Sequence, residues 1–199
     1  MQHFRPKVFF IGFNKTATTS LHRLFLDSGY ISFHHSKRQN KKENIANIID
    51  KNFKNNLPLL TNLETADCLI DMILSNNNRY LEANKYFRQL HQQYPDSYFI
   101  LQIRNEEDWI KSRLKHRSKP SFARRSISAL GLKNTEELIQ FWKAMKSNHF
   151  TDVRNYFCNS KKFIEYNIDK DDISKLINFL SPHFKLKKEH WKKHNATTY

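Results

Sequence analysis

The sequence contains little cysteine, glycine or proline, and each scarcity excludes a class of protein. Cys68 and Cys158, its two cysteines, are too few and too far apart for a disulfide framework or a cysteine-based zinc site. Three glycines and five prolines in 199 residues argue against a loop-rich or low-complexity chain. Long apolar runs are missing as well, since no segment approaches the roughly 20 apolar residues that cross a bilayer. We therefore expect a protein of the reducing cytoplasm with no membrane span.

Positive charge is what the sequence has in excess. Lysine and arginine number 34 against 19 acidic residues, which gives a formal net charge of +15. Such a charge predicts attraction to a polyanion, whether nucleic acid, a sulfated or phosphorylated polymer, or a multiply charged nucleotide. The length suits a single domain over residues 1–199. Composition alone therefore predicts an anionic ligand without identifying it.

Short apolar stretches alternate with segments of helical spacing along the chain. The predicted strands cover residues 8–11, 30–33, 58–61, 97–103 and 162–166. Helices are predicted between them, including a short one at residues 66–74 and a longer one at residues 80–94. This alternation predicts an α/β fold, a three-layer sandwich in which about five parallel strands carry helices on both faces. Ligands of such sheets bind at the carboxyl ends of the strands.

The first strand leads into a polar loop and then into a helix. Apolar residues end at Phe13 and resume with helical spacing at Leu21. We call the polar segment between them the anion loop; it consists of Asn14, Lys15, Thr16, Ala17, Thr18, Thr19 and Ser20. A loop at a helix N-terminus presents backbone N–H groups and the positive end of the helix dipole. Together with the lysine and the hydroxyls, this predicts a site for phosphate or a phosphate-like group. It is not the nucleoside-triphosphatase loop, in which lysine occupies the place of Thr18.

A second group of polar residues follows the strand predicted at residues 97–103. Arg104 ends this strand, and Ser112 lies about two turns into the next helix. A guanidinium and a hydroxyl in this arrangement can share one phosphate, because the planar fork of N–H donors matches the phosphate oxygens. A surface arginine and a solvated serine are the alternative interpretation when the pair is taken alone.

Together these two segments resemble a known family, the PAPS-dependent sulfotransferases of the bacterial type. The segment from Lys15 is similar to the family's K-[ST]-G-T-[TS]-[SW]-L loop, with Ala17 in place of glycine. The segment from Leu101 to Ser112 is similar to the family's L-x-[IV]-R-[ND]-x-x-[ED]-W-x-x-S pattern. Both segments lie at predicted strand ends and in the family's order, which makes the resemblance more specific than either motif alone.

The resemblance implies a fold, a donor and roles for the two segments. The fold is implied to be P-loop-like, akin to nucleotide kinases. The donor is 3′-phosphoadenosine 5′-phosphosulfate (PAPS), which leaves 3′,5′-ADP (PAP), and no metal is required. The anion loop is implied to hold the 5′-phosphosulfate, and Arg104 and Ser112 the 3′-phosphate. The acceptor is expected to be a hydroxyl or amine of a small molecule or glycan, and nucleic acid is not an expected partner.

Catalysis would also need a cation at the leaving group and a base for the acceptor. Lys15 is placed to stabilise the leaving phosphate. Asn62 occupies the place of the histidine base of cytosolic family members, and asparagine is no base. Glu64, two residues later, is one candidate, since glycan-modifying members use a glutamate. His35 is the other candidate, because it matches a G-[FY]-x(4)-H pattern of bacterial-type members. A helix-start carboxylate and a structural histidine are the corresponding non-catalytic interpretations.

Two other functions are compatible with these residues. The first is a small-molecule or nucleotide kinase of the same fold, although the lysine of the nucleoside-triphosphatase loop is missing. The second is an inactive module that binds polyanions, which the net charge of +15, Ala17 and Asn62 favour. Ala17 bears on activity directly. If the loop requires a positive φ there, alanine is strained, whereas a helical φ leaves it harmless.

Overall fold

The computed structural model describes residues 6–36, 43–116 and 120–192 of the chain. Its strands are β1 (Val8–Phe10), β2 (Ser32–His34), β3 (Cys68–Ile70), β4 (Ile73–Asn76), β5 (Arg79–Glu82), β6 (Tyr98–Ile103) and β7 (Phe163–Asn167). Five of them form a parallel sheet in the order β2-β3-β1-β6-β7, which confirms the predicted α/β architecture. β4 and β5 form a separate antiparallel hairpin.

Helices surround the parallel sheet. They are α1 (Thr18–Asp27), α2 (Ile45–Lys54), α3 (Phe87–Gln93), α4 (Glu106–Leu114), α5 (Phe122–Leu130), α6 (Thr135–Phe157) and α7 (Ile173–Leu180), with 3₁₀ turns at Ala83–Tyr86 and Lys188–His190. Most of these α-helices begin at a side chain that accepts a hydrogen bond from the first turn, and these caps are Asn44, Asn105, Ser121, Asn134 and Asp172. In the described part of the chain, no helix is both long and apolar enough to cross a membrane.

Alternate residues of the central strand point to opposite faces of the sheet. Val8 and Phe10 pack in one core with apolar residues of α1 and α7. Phe9 packs in a second core with apolar residues of α2, α3, α4 and α6. Because β1 is buried on both faces, it contains no polar position. The predicted three-layer arrangement, with helices on both faces of the sheet, is confirmed.

The prediction of the third strand was wrong. Residues 58–61 lie in a turn, where the backbone N–H of Thr61 bonds to the oxygen of Pro58. The third strand of the sheet is β3, which falls inside the helix predicted at residues 66–74. All three residues of β3 are buried. A buried parallel strand is apolar on both faces, so periodicity does not distinguish it from a short buried helix.

The β4–β5 hairpin and α5 were not predicted. The hairpin turns at Asn77 and Asn78, and its second strand takes up the start of the helix predicted at residues 80–94. That helix begins only at Phe87, after the 3₁₀ turn Ala83–Tyr86. Because the two hairpin strands are short and only partly buried, they show little alternation of apolar and polar residues.

Candidate functional site

The anion loop lies at the carboxyl edge of the sheet, between β1 and α1. β1 is the central strand, with β3 on one side and β6 on the other. The chain therefore leaves β1 at the point where strand order changes direction, which is where open α/β sheets bind ligands. The predicted position of the site follows from this topology.

Gly12 allows the start of the loop to approach β6 closely. The backbone N–H of Gly12 donates to Oε1 of Gln102 at 2.9 Å. A Cβ atom at this position would lie 2.5 Å from the backbone oxygen of Gln102, which is a severe clash. Glycine is therefore required here by contact with the neighbouring strand rather than by an unusual φ.

Side chains from three elements hold the backbone that leads from β1 into the anion loop. Asn84 donates from Nδ2 to the oxygens of Ile11 and Gly12 at 3.1 Å each. Trp109 of α4 donates from Nε1 to the oxygen of Asn14 at 3.0 Å. His149 of α6 donates from Nε2 to the oxygen of Ile11 at 2.7 Å. These carbonyl oxygens, which would repel an anion, are thus bound within the protein.

Two residues of the loop have left-handed backbone conformations. Lys15 has φ 65° and Ala17 has φ 58°. Left-handed residues in a tight loop turn successive N–H groups into a concave anion site. Ala17 therefore has the positive φ that strains an alanine, at a cost on the order of 1 kcal/mol.

The first turn of α1 is suited to an anion. Ala17 precedes the helix and supplies no side-chain cap, and the first turn contains no acidic residue. Thr18 and Ser20 are buried, while Thr19 is partly exposed. The N–H groups of a first turn need a partner, and the helix dipole favours a negative one. The hydroxyl of Thr16 does not point to such an anion, because it donates to the backbone oxygen of Phe13 at 2.5 Å.

Arg104 comes directly to the anion loop. Its Nη1 donates to the backbone oxygen of Lys15 at 3.0 Å. Lys146 of α6 donates from Nζ to the oxygen of Arg104 at 3.2 Å and adds a cation that the sequence did not indicate. Ser112 lies on α4, the helix that also supplies Trp109, and is only 4% exposed.

Lys15 is half-buried among other charges. Burial lowers the pKa of its amine, the carboxylate of Asp71 opposes this shift, and Arg104 adds to it. The amine of Lys15 is therefore within electrostatic reach of both a carboxylate and a guanidinium. Asp71 directly follows β3 and was not singled out from the sequence. It would have been found at a strand end if residues 68–70 had been recognised as the third strand.

Glu64 is not brought to the anion loop. Lys7, which precedes β1, donates from Nζ to the backbone oxygen of Glu64 at 2.7 Å, so Glu64 lies at the amino edge of the sheet. Its exposed carboxylate accepts a hydrogen bond from the N–H of Asn62 at 2.8 Å. The sequence placed Glu64 after the third strand, but β3 begins at Cys68 and therefore follows it. Glu64 is thus at the wrong edge to act on a group bound at the loop.

His35 follows β2 at the carboxyl edge, but its side chain is exposed. It has a positive φ of 61°, and its Nδ1 lies 3.4 Å from Nδ2 of Asn44. Its neighbour His34 reaches the anion loop instead. Nε2 of His34 lies 3.1 Å from the hydroxyl oxygen of Thr18 and 3.4 Å from Oδ2 of Asp71. Burial lowers the pKa of His34, and the Asp71 carboxylate partly offsets this.

The fold and the site define a class of protein. A parallel α/β sheet whose central strand leads through a lysine-containing anion loop into a helix has P-loop-like architecture. Within this class, the model of a sulfotransferase domain matches residues 7–167, well over half of the chain. The chain belongs to this sulfotransferase family, which confirms the resemblance. No curated protein matches the chain.

Proposed function

We propose that this sulfotransferase takes its sulfuryl group from PAPS and transfers it to a hydroxyl or amine of a small-molecule or glycan acceptor. The observation that carries the proposal is the hydrogen bond from Arg104 to the backbone of Lys15. It joins the segment implied to bind a 3′-phosphate to the segment implied to bind a 5′-phosphosulfate. A nucleotide with phosphates at both positions accounts for this pairing.

The residues of the anion loop fit the 5′-phosphosulfate. PAPS supplies an activated sulfuryl group when it is bound. The uncapped first turn of α1 offers N–H donors, and the carbonyl oxygens of Ile11 and Asn14, before and at the start of the loop, are bound from the protein side. Lys15 is the cation that stabilises negative charge on the 5′-phosphate as the sulfuryl group departs.

The 3′-phosphate is assigned to Arg104 and Ser112. Arg104 offers a planar fork of donors, and the charge of Lys146 lies beside its backbone. Free thiols at Cys68 and Cys158 support a reducing compartment, and we place the reaction in the cytoplasm.

Calorimetric titration with PAP tests this donor assignment. We expect PAP to bind the wild-type protein, and Lys15→Ala and Arg104→Ala each to weaken binding about tenfold or more, since a charged hydrogen bond is worth about 1.5–3 kcal/mol. Lys161→Ala is the matched control, because this exposed lysine precedes β7 at the amino edge. Absence of binding at high micromolar PAP would overturn the assignment.

An inactive polyanion-binding module is the second candidate. The strained Ala17, at a position where the family has glycine, is the observation that favours it. Binding of heparin that is indifferent both to PAP and to Lys15→Ala would support this candidate. The family assignment favours sulfuryl over phosphoryl transfer, as does Thr18 in the place of the kinase lysine.

A further inference from the structure

A largely buried carboxylate lies beside the anion loop at the carboxyl edge of the sheet. Asp71 directly follows β3, the neighbour of the strand that leads into the loop. Its φ is 61°, a left-handed conformation that costs stability in a non-glycine residue. Its side chain is only 13% exposed. Backbone strain of this kind is typical of functional sites.

The two oxygens of this carboxylate have different surroundings. Oδ2 of Asp71 lies 3.4 Å from Nε2 of His34. Oδ1 is buried, and no hydrogen-bond donor of the described residues reaches it. Buried polar atoms are nearly always hydrogen-bonded, so an exception requires an explanation. Oδ1 is therefore an acceptor atom without a donor among the described residues.

Charged and polar groups of the site surround Asp71. Its carboxylate raises the pKa of Lys15 against the larger effect of burial, so the two groups lie within electrostatic reach. The Asp71 carboxylate also raises the pKa of His116, which lies just after α4, against the larger effect of burial. His34 connects it to the anion loop through the hydroxyl of Thr18. Asp71 therefore lies within electrostatic reach of the loop cation and is connected to the anion loop through His34.

We propose that Asp71 is the general base of this sulfotransferase and that His34 positions its carboxylate; the assignment rests on the proposed transfer from PAPS. The acceptor O–H bond breaks, and its proton goes to the carboxylate of Asp71. The acceptor oxygen forms the new bond to sulfur, while the bond between sulfur and the bridging oxygen of the donor breaks. The electron pair of that bond stays on the 5′-phosphate, where Lys15 stabilises it.

Asp71→Asn tests the role of this carboxylate. Asparagine keeps the size of the side chain and tolerates a left-handed φ, but it cannot take up the proton. Release of labelled sulfate from PAPS in a single turnover, with water as the acceptor, measures the chemical step. We expect its rate to fall about 100-fold or more. PAP affinity should change by less than about threefold or become tighter, because a negative charge beside Lys15 is lost.

Asp27→Asn is the matched control for this experiment. Asp27 is exposed at the end of α1, far from its first turn, so both the rate and PAP affinity should equal those of the wild-type protein. Thermal unfolding of both variants verifies that they are folded.

A second measurement does not depend on catalysis. Because the Asp71 carboxylate raises the pKa of His34, an NMR titration of the His34 ring should have a lower midpoint in Asp71→Asn. An unchanged midpoint would overturn the pairing of the two side chains.

The outcomes separate the role of Asp71 from the proposed function. A variant that binds PAP and releases sulfate at the wild-type rate would overturn the role of Asp71 and leave the donor assignment intact. A wild-type protein that binds no PAP would instead overturn the donor assignment, and the role of Asp71 with it.

Discussion

Ala17 has a backbone conformation that glycine adopts without cost and alanine does not. With φ 58° and ψ 23°, its Cβ is crowded by the neighbouring backbone. Glycine relieves this strain but loses more chain entropy on folding, which offsets part of the gain. We expect Ala17→Gly to raise the free energy of unfolding by less than about 1 kcal/mol, measured by urea denaturation, and to bind PAP at least as tightly.

The control for this variant is the same substitution in a helix. Ala144 is exposed in the interior of α6, where glycine is unfavourable. Ala144→Gly should lower the free energy of unfolding by about 1 kcal/mol, the opposite sign. A similar loss for Ala17→Gly would show that residue 17 is not left-handed in solution.

At the scale of elements, the sequence predicts the site well where a strand end and a motif coincide. Lys15 and Arg104 follow strands whose apolar runs are clear, and the structure joins the two residues by a hydrogen bond. The third strand is different, because its three buried residues have no period of their own. The apolar residues of the turn at 58–61 predict that strand instead, which places Glu64 rather than Asp71 at a strand end.

The choice between neighbouring histidines was also beyond the sequence. His34 is the last residue of β2 and His35 follows it, so the register of the strand determines which of the two side chains faces α1. A one-residue shift in register exchanges the two faces of a strand. Only the pairing of His34 with Ile70 in the sheet shows that His34 is the one that approaches Thr18.

A buried ion pair joins the hairpin to α4. Arg113 is fully buried, and its Nη2 lies 2.7 Å from Oε1 of Glu82 on β5. Its guanidinium also stacks 4.3 Å from the ring centre of Trp109, which holds the anion loop. Since removal of Glu82 leaves a buried charge uncompensated, we expect Glu82→Gln to lower the free energy of unfolding by about 3 kcal/mol in urea denaturation.

An exposed pair provides the comparison. Arg154 and Glu165 form an ion pair with an N–O distance of 2.6 Å, but both side chains are solvent-accessible. Glu165→Gln should therefore cost less than about 1 kcal/mol. Equal losses in the two variants would mean that the Glu82 carboxylate is not desolvated in the folded protein.

At the scale of the whole molecule, partly buried histidines make stability depend on pH. Burial lowers the pKa of His34, His116 and His149 below the ordinary value of 6.5. As pH falls below about 6.5, the unfolded chain therefore binds protons that the folded chain does not, and stability is lost until the folded pKa values are passed. We expect a lower urea midpoint at pH 5.5 than at pH 7.5.

Carboxylates of lowered pKa do not cause this loss of stability between pH 7.5 and pH 5.5. Asp50, whose pKa is lowered from 3.8 to about 2, loses its stabilising effect only at more acidic pH. His149→Gln provides a direct check, since the glutamine amide can still donate to Ile11 but does not titrate. This variant should depend less on pH between 5.5 and 7.5, and an unchanged dependence would exclude His149 as a source.

The hydrogen bond between Arg104 and Lys15 spans 89 positions of the sequence. Synthesis begins at the N-terminus, so the anion loop leaves the ribosome long before β6. A nascent chain that ends before β6 has the loop residues but lacks Gln102, which bonds to Gly12, and Trp109, which bonds to Asn14. The order of translation thus delays completion of the contacts that hold the anion loop until most of the sheet has been made.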